Sequence, residues 1–223
     1  MKTSFPLPCG RAALVPSVLS ADFACLKGSL KPVNSLADWV QVDVMDGRFV
    51  PNISFGPAIT AAVRRASPLP IDAHLMVAEP LKFIDAFAKA GSDLITVHAE
   101  AKDAGACLKK IKALGLKAGL ALRPGTPLSR ALPFLNSLDL LLIMTVEPGF
   151  GGQAFMPAML PKVGAARQAI RRSGRKVWLQ VDGGINSETA VLAAVAGADS
   201  LVIGSALFSA ADPAAFLKGL KKL

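Results

Sequence analysis

The sequence predicts an α/β fold, a single-domain (β/α)8 barrel or TIM barrel, on two observations. Short apolar segments typical of strands alternate with helix-like segments eight times along 223 residues. Such alternation indicates a parallel sheet, and eight units are the number that closes a barrel. No linker or low-complexity stretch separates the units. One barrel domain is therefore predicted at residues 13–223, after an N-terminal extension at residues 1–12.

The strands and helices are predicted one by one from apolar runs and from the residues that bound them. The strands are expected at residues 13–17, 39–44, 71–76, 94–98, 117–122, 140–144, 177–182 and 200–203. The helices are expected near residues 23–30, 57–66, 80–90, 104–114, 129–135, 157–173, 187–196 and 213–223. Pro80 suits a first helical position, and Gly115, Gly174 and Gly197 suit helix ends. An open doubly wound sheet is the alternative. No Gly-x-Gly-x-x-Gly follows the first strand, which argues against a dinucleotide-binding version.

The cysteines indicate a compartment. Cys9, Cys25 and Cys107 are odd in number and widely spaced, which predicts no disulfide framework and no cysteine-based zinc site. This usage is typical of a reducing compartment, so we expect a cytoplasmic protein.

One apolar stretch resembles a membrane span. Residues 189–211 carry a single charge, Asp199, and are long enough to cross a bilayer. Gly197 and Gly204 divide the stretch into helix, turn and strand, so we interpret it as buried interior and expect no membrane partner.

The net charge of +9 raises the question of a nucleic-acid partner. The densest basic run, at residues 167–176, lies at a predicted helix end, where positive charge complements the helix dipole. It has no interleaved aromatic residues for base stacking, so we predict a solvated helix face and no nucleic-acid binding. We expect a small-molecule ligand and a homo-oligomer.

Polar residues collect at the carboxyl ends of the predicted strands, which share one face in a barrel. These residues are Ser17, Asp43, His74, His98, Thr145, Asp182 and Ser205. Any one of them could be structural, but convergence from different strands is hard to explain by packing alone. The sequence therefore predicts a site at this face.

Asp43 and Asp182 are carboxylates on the second and seventh strands, so they reach the barrel mouth from different sides. Two such groups could exchange protons on opposite faces of one carbon and invert its configuration. With His74 they could also hold a divalent cation that stabilises an enediolate oxygen. Asp72 could orient His74 or be a structural charge, and His98 is expected in a loop or pocket wall.

Glycine-rich loops follow the last three strands. Backbone N–H groups in such loops can approach an anion closely, and the loops after the last strands form the usual phosphate site of this barrel. The predicted phosphate-binding residues are Gly149, Gly151, Gly152, Gly183, Gly184, Gly204 and Ser205. A Schiff-base aldolase is disfavoured because Lys117 and Lys176 stand where strands begin, at the opposite face.

Six motifs together resemble the ribulose-phosphate 3-epimerase family across nearly the whole chain. They are PSVLSAD at residues 16–22, VDVMDGRFVPN at 42–52, DAHLMV at 72–77, TVEPGFGGQ at 145–153, VDGG at 181–184 and GS at 204–205. The resemblance implies interconversion of D-ribulose 5-phosphate and D-xylulose 5-phosphate through a metal-stabilised enediolate. A place in the pentose phosphate pathway or the Calvin cycle would follow.

The resemblance also assigns roles to residues. It implies that Asp43 and Asp182 are the acid/base pair and that they bind a divalent metal ion (Zn, Fe, Mn or Co) with His74. Further substrate contacts are implied for Ser17, His74, Phe150 and the phosphate-loop residues above, with an apolar wall of Met45, Met76 and Met144. An epimerase of a ketohexose phosphate such as allulose 6-phosphate is the nearest alternative.

Gln41 departs from the family pattern, which usually has a metal-binding His two residues before the first catalytic Asp. An amide oxygen can ligate a cation, but more weakly than imidazole suits zinc or iron. Alternatively, the amide N–H could donate to the developing enediolate oxygen. A sugar-phosphate-binding barrel with impaired turnover is therefore a second alternative.

Overall fold

The structure, a computed structural model, describes residues 5–223 and contains eight parallel strands that alternate with helices. The strands are β1 (Ala13–Pro16), β2 (Val40–Met45), β3 (Ile71–Met76), β4 (Leu94–His98), β5 (Lys117–Leu122), β6 (Leu140–Met144), β7 (Trp178–Asp182) and β8 (Ser200–Ile203). Every predicted strand is present, with ends within one residue of the prediction.

The strands form one sheet in the order β1-β8-β7-β6-β5-β4-β3-β2. The ladder is continuous from β8 round to β2. Between the β1 and β2 segments, the described backbone pairing is limited to a Ser17–Gln41 bridge and a bond from the Asp38 N–H to the Leu14 carbonyl. The result is a nearly closed barrel, which confirms the predicted TIM-barrel class. The sparsely bonded seam lies beside Asp43.

The α-helices are α1 (Leu26–Leu30), α2 (Pro57–Ala66), α3 (Ile84–Ala90), α4 (Ala104–Ala113), α5 (Leu160–Ser173), α6 (Ser187–Val195), α7 (Ser205–Phe208) and α8 (Pro213–Leu220). Five expectations differ from the structure. The predicted helices at residues 23–30, 80–90 and 157–173 each begin as a 3-10 turn, and α1, α3 and α5 follow that turn. The unit after β5 has only 3-10 turns, and α7 was not predicted. Because 3-10 turns and α-helices share apolar spacing over a few residues, the sequence pattern does not separate them.

Strand residues alternate between two apolar layers. One set faces the surrounding helices, as Leu14, Val42 and Val97 do, and the other fills the barrel interior, as Val15, Leu142 and Trp178 do. This alternation follows from the period of two in a strand. It places Gln41 and Asp43 on the interior face of β2, with Asp43 nearer the mouth.

The amino-terminal end of the barrel is closed by the start of the chain. The Phe5 ring packs on Trp39, which contacts Trp178, and the Trp178 indole N–H donates to the carbonyl of Pro6. The expected extension at residues 1–12 thus has Phe5 and Pro6 against the barrel, while residues 1–4 lie outside the described residues. The face predicted to hold the site lies at the opposite end of the barrel.

Four aspartates at the starts of even-numbered strands fasten this end of the barrel. Each accepts a backbone N–H from the preceding odd-numbered strand and pairs with a cation. Each set is given as the aspartate, the residue whose backbone N–H it accepts and the cation with which it pairs: Asp38, Leu14 and Arg11; Asp93, Ile71 and Arg64; Asp139, Ala118 and Lys112; and Asp199, Leu179 and Arg167. Buried strand-end N–H groups are satisfied this way at every second unit.

Arg167 corrects one prediction. It was expected on a solvated helix face with the rest of the basic run, but its side chain pairs with Asp199 and donates to the Gly197 carbonyl. Arg171 and Arg172 do lie exposed. The run is therefore partly structural, because its first member reaches across to the start of β8.

We expect Asp93→Ala to lower the free energy of unfolding by about 1–3 kcal/mol, because it leaves the buried Ile71 N–H without its acceptor and removes the ion pair of Arg64. Urea unfolding measures the change. Asp85→Ala is the matched control, since its pair with Lys110 is largely exposed and should contribute little. Equal stability losses in the two variants would contradict the fastening role.

Among residues 5–223 no helix is long and apolar enough to span a bilayer. The apolar stretch at residues 189–211 divides into α6, a turn and β8, as its glycines predicted, and it continues into α7, which was not predicted.

Candidate active site

A cleft opens at the carboxyl ends of the strands, with about 560 Å³ of empty space including its mouth. It is lined by both predicted acid/base residues and by all the predicted phosphate-loop and methionine residues. These are Ser17, Asp43, Met45, Met76, Met144, Gly149, Phe150, Gly151, Gly152, Asp182, Gly183, Gly184, Gly204 and Ser205. His74 does not line the cleft, because it lies fully buried behind Asp43. The structure thus gathers the predicted residues, with His74 one step deeper.

Asp43 is held by three hydrogen-bond partners. Ser17 Oγ donates to Oδ2 at 2.5 Å, Gln41 Nε2 donates to Oδ1 at 2.7 Å, and His74 Nδ1 lies 2.8 Å from Oδ1. Burial opposes ionisation, but the bonds from His74, Ser17 and Gln41 outweigh it and lower the pKa of Asp43. Asp43 is therefore an ionised carboxylate at neutral pH.

Asp182, at the end of β7, has the opposite balance. Burial raises its pKa to about 7, and the negative charge of Asp43 adds to the rise. One bond from Gln41 Nε2, at 2.7 Å, supports the charged form. Two carboxyl groups in one cleft thus have environments that push their pKa values apart, which is how acid and base roles are divided between like residues.

His74 lies in a chain of hydrogen bonds that fixes its protons. Its Nε2 is 2.9 Å from His98 Nε2, and His98 Nδ1 is 3.2 Å from Glu100. Burial opposes a charge on Glu100, but bonds from His98, Thr126 and the Arg123 backbone outweigh it and lower the pKa of Glu100 to about 2, so Glu100 accepts the Nδ1 proton of His98. Burial lowers the pKa of His98 to about 4, which keeps it neutral.

Because neutral His98 uses its one N–H on Glu100, its Nε2 must accept from His74. His74 therefore carries a proton on Nε2, and its Nδ1 is the nitrogen that faces Asp43. Burial opposes a charge on His74, but the Asp43 bond and the neighbouring carboxylates raise its pKa. His98 was expected in a loop or pocket wall and is instead a fully buried partner of His74.

We expect His98→Phe to lower the free energy of unfolding by about 1–3 kcal/mol. Phenylalanine keeps the ring stacked between Phe49 and His74 but leaves the buried Nε2–H of His74 without an acceptor. Chemical denaturation of the two proteins measures the difference. Unchanged stability would mean that the His74–His98 contact is packing alone.

Asp72 does not orient His74. Its carboxyl oxygens accept from Thr96 Oγ1 at 3.0 and 3.1 Å, deeper in the barrel, and burial raises its pKa to about 8. Of the two roles expected for Asp72, the structural one fits these contacts. Asp72 is a neutral, hydrogen-bonded carboxyl group in the barrel interior.

Two glycines let the loops after β6 and β7 pack closely. Gly183 has φ +120, and a Cβ there would lie 2.4 Å from Val146. Gly184 has φ +67, and a Cβ there would lie 2.2 Å from the Phe155 backbone nitrogen. Side chains larger than hydrogen are excluded at both, so the backbone itself forms this wall of the cleft.

The loop after β8 leads directly into α7, which begins at Ser205. Gly204 lies against Ser20, whose Oγ would be 2.9 Å from an added Cβ. Sequence reasoning missed part of this wall, namely Leu19, Ser20, Val146, Pro148, Gln153, Ile185 and Val202. Ser20 could have been found, since it lies three residues after Ser17 in the same motif.

Asp43, His74 and Asp182 could hold a metal ion, since one ligand atom from each lies within 4.8 Å of the others. Two carboxylates and an imidazole suit a borderline divalent cation. Gln41 turns its amide nitrogen, and not its oxygen, towards this group, and its Oε1 has no hydrogen-bond partner among the described residues. The three donors therefore fit a cation, with the Gln41 amide between them.

Comparisons with known proteins agree with this site. The model of the ribulose-phosphate 3 epimerase family matches residues 13–208. The chain is 48% identical to ribulose-phosphate 3-epimerase of Bacillus subtilis over 202 residues, covering 89% of this chain and 93% of the relative. It is 46% identical to the chloroplastic ribulose-5-phosphate-3-epimerase of Arabidopsis thaliana over 210 residues, covering 92% of this chain and 75% of the relative.

Solved structures share the fold. A 3-hexulose-6-phosphate synthase superposes with a TM-score of 0.68 at 25% identity, covering 94% of this chain and 98% of the other. KGPDC from Streptococcus mutans superposes with a TM-score of 0.73 at 16% identity, covering 95% of this chain and 96% of the other. At this identity the likeness shows the barrel fold alone. By the family match and the identity to its relatives, the chain belongs to the ribulose-phosphate 3-epimerase family.

Proposed function

We infer that this chain is a ribulose-phosphate 3-epimerase, an isomerase that interconverts D-ribulose 5-phosphate and D-xylulose 5-phosphate. Curated relatives with this name are 43–48% identical over about nine-tenths of the chain. The observation that carries the chemistry is the pair of carboxyl groups, Asp43 and Asp182, which line one cleft and whose pKa values are shifted in opposite directions. Such a pair can remove a proton from one face of a carbon beside a carbonyl and deliver a proton to the other face, which inverts that carbon.

We propose the following proton transfers. The Asp43 carboxylate takes the C3 proton of one epimer, and the bonding electrons move to form an enediolate across C2 and C3. The carboxylic acid of Asp182 then delivers its proton to C3 from the other face, which inverts the centre. Asp43 ends neutral and Asp182 ionised, so the reverse reaction exchanges their roles.

Asp43, His74 and Asp182 would hold a divalent metal ion, with zinc, iron, manganese and cobalt as the choices that suit the donor set. When bound, the ion would supply positive charge for the enediolate oxygen. The Nε2–H of His74 is engaged by His98, so Nδ1, which bonds to Asp43 here, is the nitrogen that would bind a metal ion after losing its proton. His98 and Glu100 thereby fix the tautomer that metal binding requires.

The substrate would lie with its phosphate against Gly149–Gly152, Gly183, Gly184, Gly204 and Ser205. Backbone N–H groups of these loops can bind the dianion without a lysine. Met45, Met76 and Met144 line the same cleft and would cover the enediolate with apolar surface, while Ser17 would contact both substrate and Asp43. A dry wall strengthens the electrostatic interactions at the reacting carbon.

The proposal also includes a homo-oligomer in the cytoplasm that serves the pentose phosphate pathway or the Calvin cycle. Exposed apolar side chains on α6, among them Val191, Leu192 and Val195, support association between copies. Light scattering during size-exclusion chromatography measures the mass in solution.

A coupled assay that detects xylulose 5-phosphate tests the function. We expect turnover of ribulose 5-phosphate, with faster turnover after addition of Zn²⁺, Fe²⁺, Mn²⁺ or Co²⁺ to chelator-treated protein. Allulose 6-phosphate should be the poorer substrate. Preference for allulose 6-phosphate would reassign the substrate, and binding of ribulose 5-phosphate without turnover under any metal would identify a binding protein.

A further inference from the structure

The Gln41 side chain occupies an unusual position. It is fully buried, and its Nε2 lies 2.7 Å from Asp43 Oδ1, 2.7 Å from Asp182 Oδ2 and 3.5 Å from His74 Nδ1. The amide nitrogen therefore lies among the same three side chains that could hold a metal ion. Among the described residues, Gln41 alone donates hydrogen bonds to both carboxyl groups, while His74 Nδ1 lies 2.8 Å from Asp43 Oδ1 and 3.7 Å from Asp182 Oδ2.

Charge determines which way the amide faces. Carboxylate oxygens accept hydrogen bonds, so the two N–H groups can bond to Asp43 and Asp182, whereas Oε1 in that place would repel both. The Gln41 Oε1 is left buried without a partner among the described residues. A buried carbonyl without a partner is unfavourable, and the two N–H bonds of the same amide, one of them to the ionised Asp43, offset this.

We propose that Gln41 is a positioning residue whose amide N–H groups hold Asp43 and Asp182 together in the metal-free protein. The amide lies where a cation would lie, so metal binding must first break both N–H bonds and move the side chain. The proton-transfer pair is then assembled with or without metal, and Gln41 weakens metal affinity. This inference rests on the proposed roles of the two aspartates.

A substitution separates this role from that of a metal ligand. Gln41→Met keeps the length of the side chain and removes both N–H groups and Oε1. We expect Zn²⁺ affinity, measured by competition with a chromogenic chelator, to rise on the order of 10-fold or more, because no N–H bonds remain to be broken. We also expect the chelator-treated variant to melt about 2–4 °C or more lower than wild type, with added Zn²⁺ narrowing the gap.

Gln180→Met is the matched control. Gln180 is also a fully buried interior glutamine, two residues before Asp182, with its amide bonded to Ser200 and its own Oε1 unpaired among the described residues. It does not touch either carboxyl group of the site, so its loss should leave Zn²⁺ affinity unchanged. Weaker Zn²⁺ binding in Gln41→Met would overturn the proposal, because it would identify Gln41 Oε1 as a metal ligand. Unchanged Zn²⁺ binding would also overturn it, because the amide N–H bonds would then not oppose the metal.

A second measurement needs no variant that might fail to fold. In ¹⁵N-labelled, chelator-treated wild type, the Gln41 side-chain NH₂ protons should exchange slowly with solvent, and Zn²⁺ should shift these signals. Rapid exchange in the metal-free protein, or signals indifferent to Zn²⁺, would contradict the proposal. Neither the Zn²⁺-binding and melting measurements nor the NMR measurement uses sugar phosphate. If they contradict the role of Gln41, the epimerase assignment still stands. If the epimerase assay fails, their results still decide the role of Gln41.

Discussion

Asp43→Asn and Asp182→Asn should each lose epimerase activity by about 100-fold or more while the barrel stays folded. Each variant removes one of the two groups that we propose to move a proton at C3, and general acid–base groups contribute effects of this size. Asparagine keeps the shape of the carboxyl group, so the cleft should survive. The matched control is Asp72→Asn, which alters a buried carboxyl that accepts from Thr96 and, among residues 5–223, has no hydrogen bond to the site. Asp72 also lies outside the cleft.

Steady-state kinetics in both reaction directions, with circular dichroism melting curves, measure these effects. The two variants should fail in both directions, because each carboxyl group acts in both. If either variant keeps wild-type turnover, a single base suffices and the two-base account is wrong. If Asp72→Asn loses activity equally, a general disturbance of the barrel interior would explain all three results.

The second large effect is expected at Gly151. A Cβ there would meet no atom nearer than Ser20 Oγ at 3.8 Å, and the residue does not have positive φ, so Gly151→Val should leave the loop unstrained. The valine side chain would instead project into the cleft and keep the phosphate from the backbone N–H groups. Hydrogen bonds to charged groups are strong, so loss of one or two weakens binding by about 10–100-fold or more.

Calorimetric titration with ribulose 5-phosphate or inorganic phosphate measures the affinity of this variant. Gly125→Val is the control, because Gly125 is likewise free of nearby atoms but lies outside the cleft. Unchanged phosphate affinity in Gly151→Val would show that phosphate binds elsewhere on the molecule.

The strands and the convergence of the site could be predicted because both follow from local patterns. A run such as Val40–Met45 is apolar on alternate positions, and its boundary glycines and prolines are visible in the chain. Once eight such units form a parallel barrel, the residues at their carboxyl ends must meet. Asp43 and Asp182 were therefore predicted together although 139 positions separate them.

What could not be predicted depends on contacts between distant segments. The contact of His98 with His74 was missed because it depends on how β3 and β4 align. The ion pair of Arg167 was missed because its partner, Asp199, lies a whole βα unit later in the chain. The orientation of the Gln41 amide depends on two carboxyl groups from different strands. A strand pattern gives the face on which a side chain lies, but it does not give the atom that meets a neighbour.

Deuterium exchange tests the central claim most directly. Asp43→Asn and Asp182→Asn are each incubated in D₂O with ribulose 5-phosphate and, separately, with xylulose 5-phosphate, and the C3 proton is followed by NMR. The two-base account predicts complementary results. Each variant should exchange the C3 proton of only one epimer, through its remaining carboxylate and without inversion, and the two variants should act on opposite epimers. Exchange of the same epimer by both variants, or inversion at the wild-type rate by either, would contradict it.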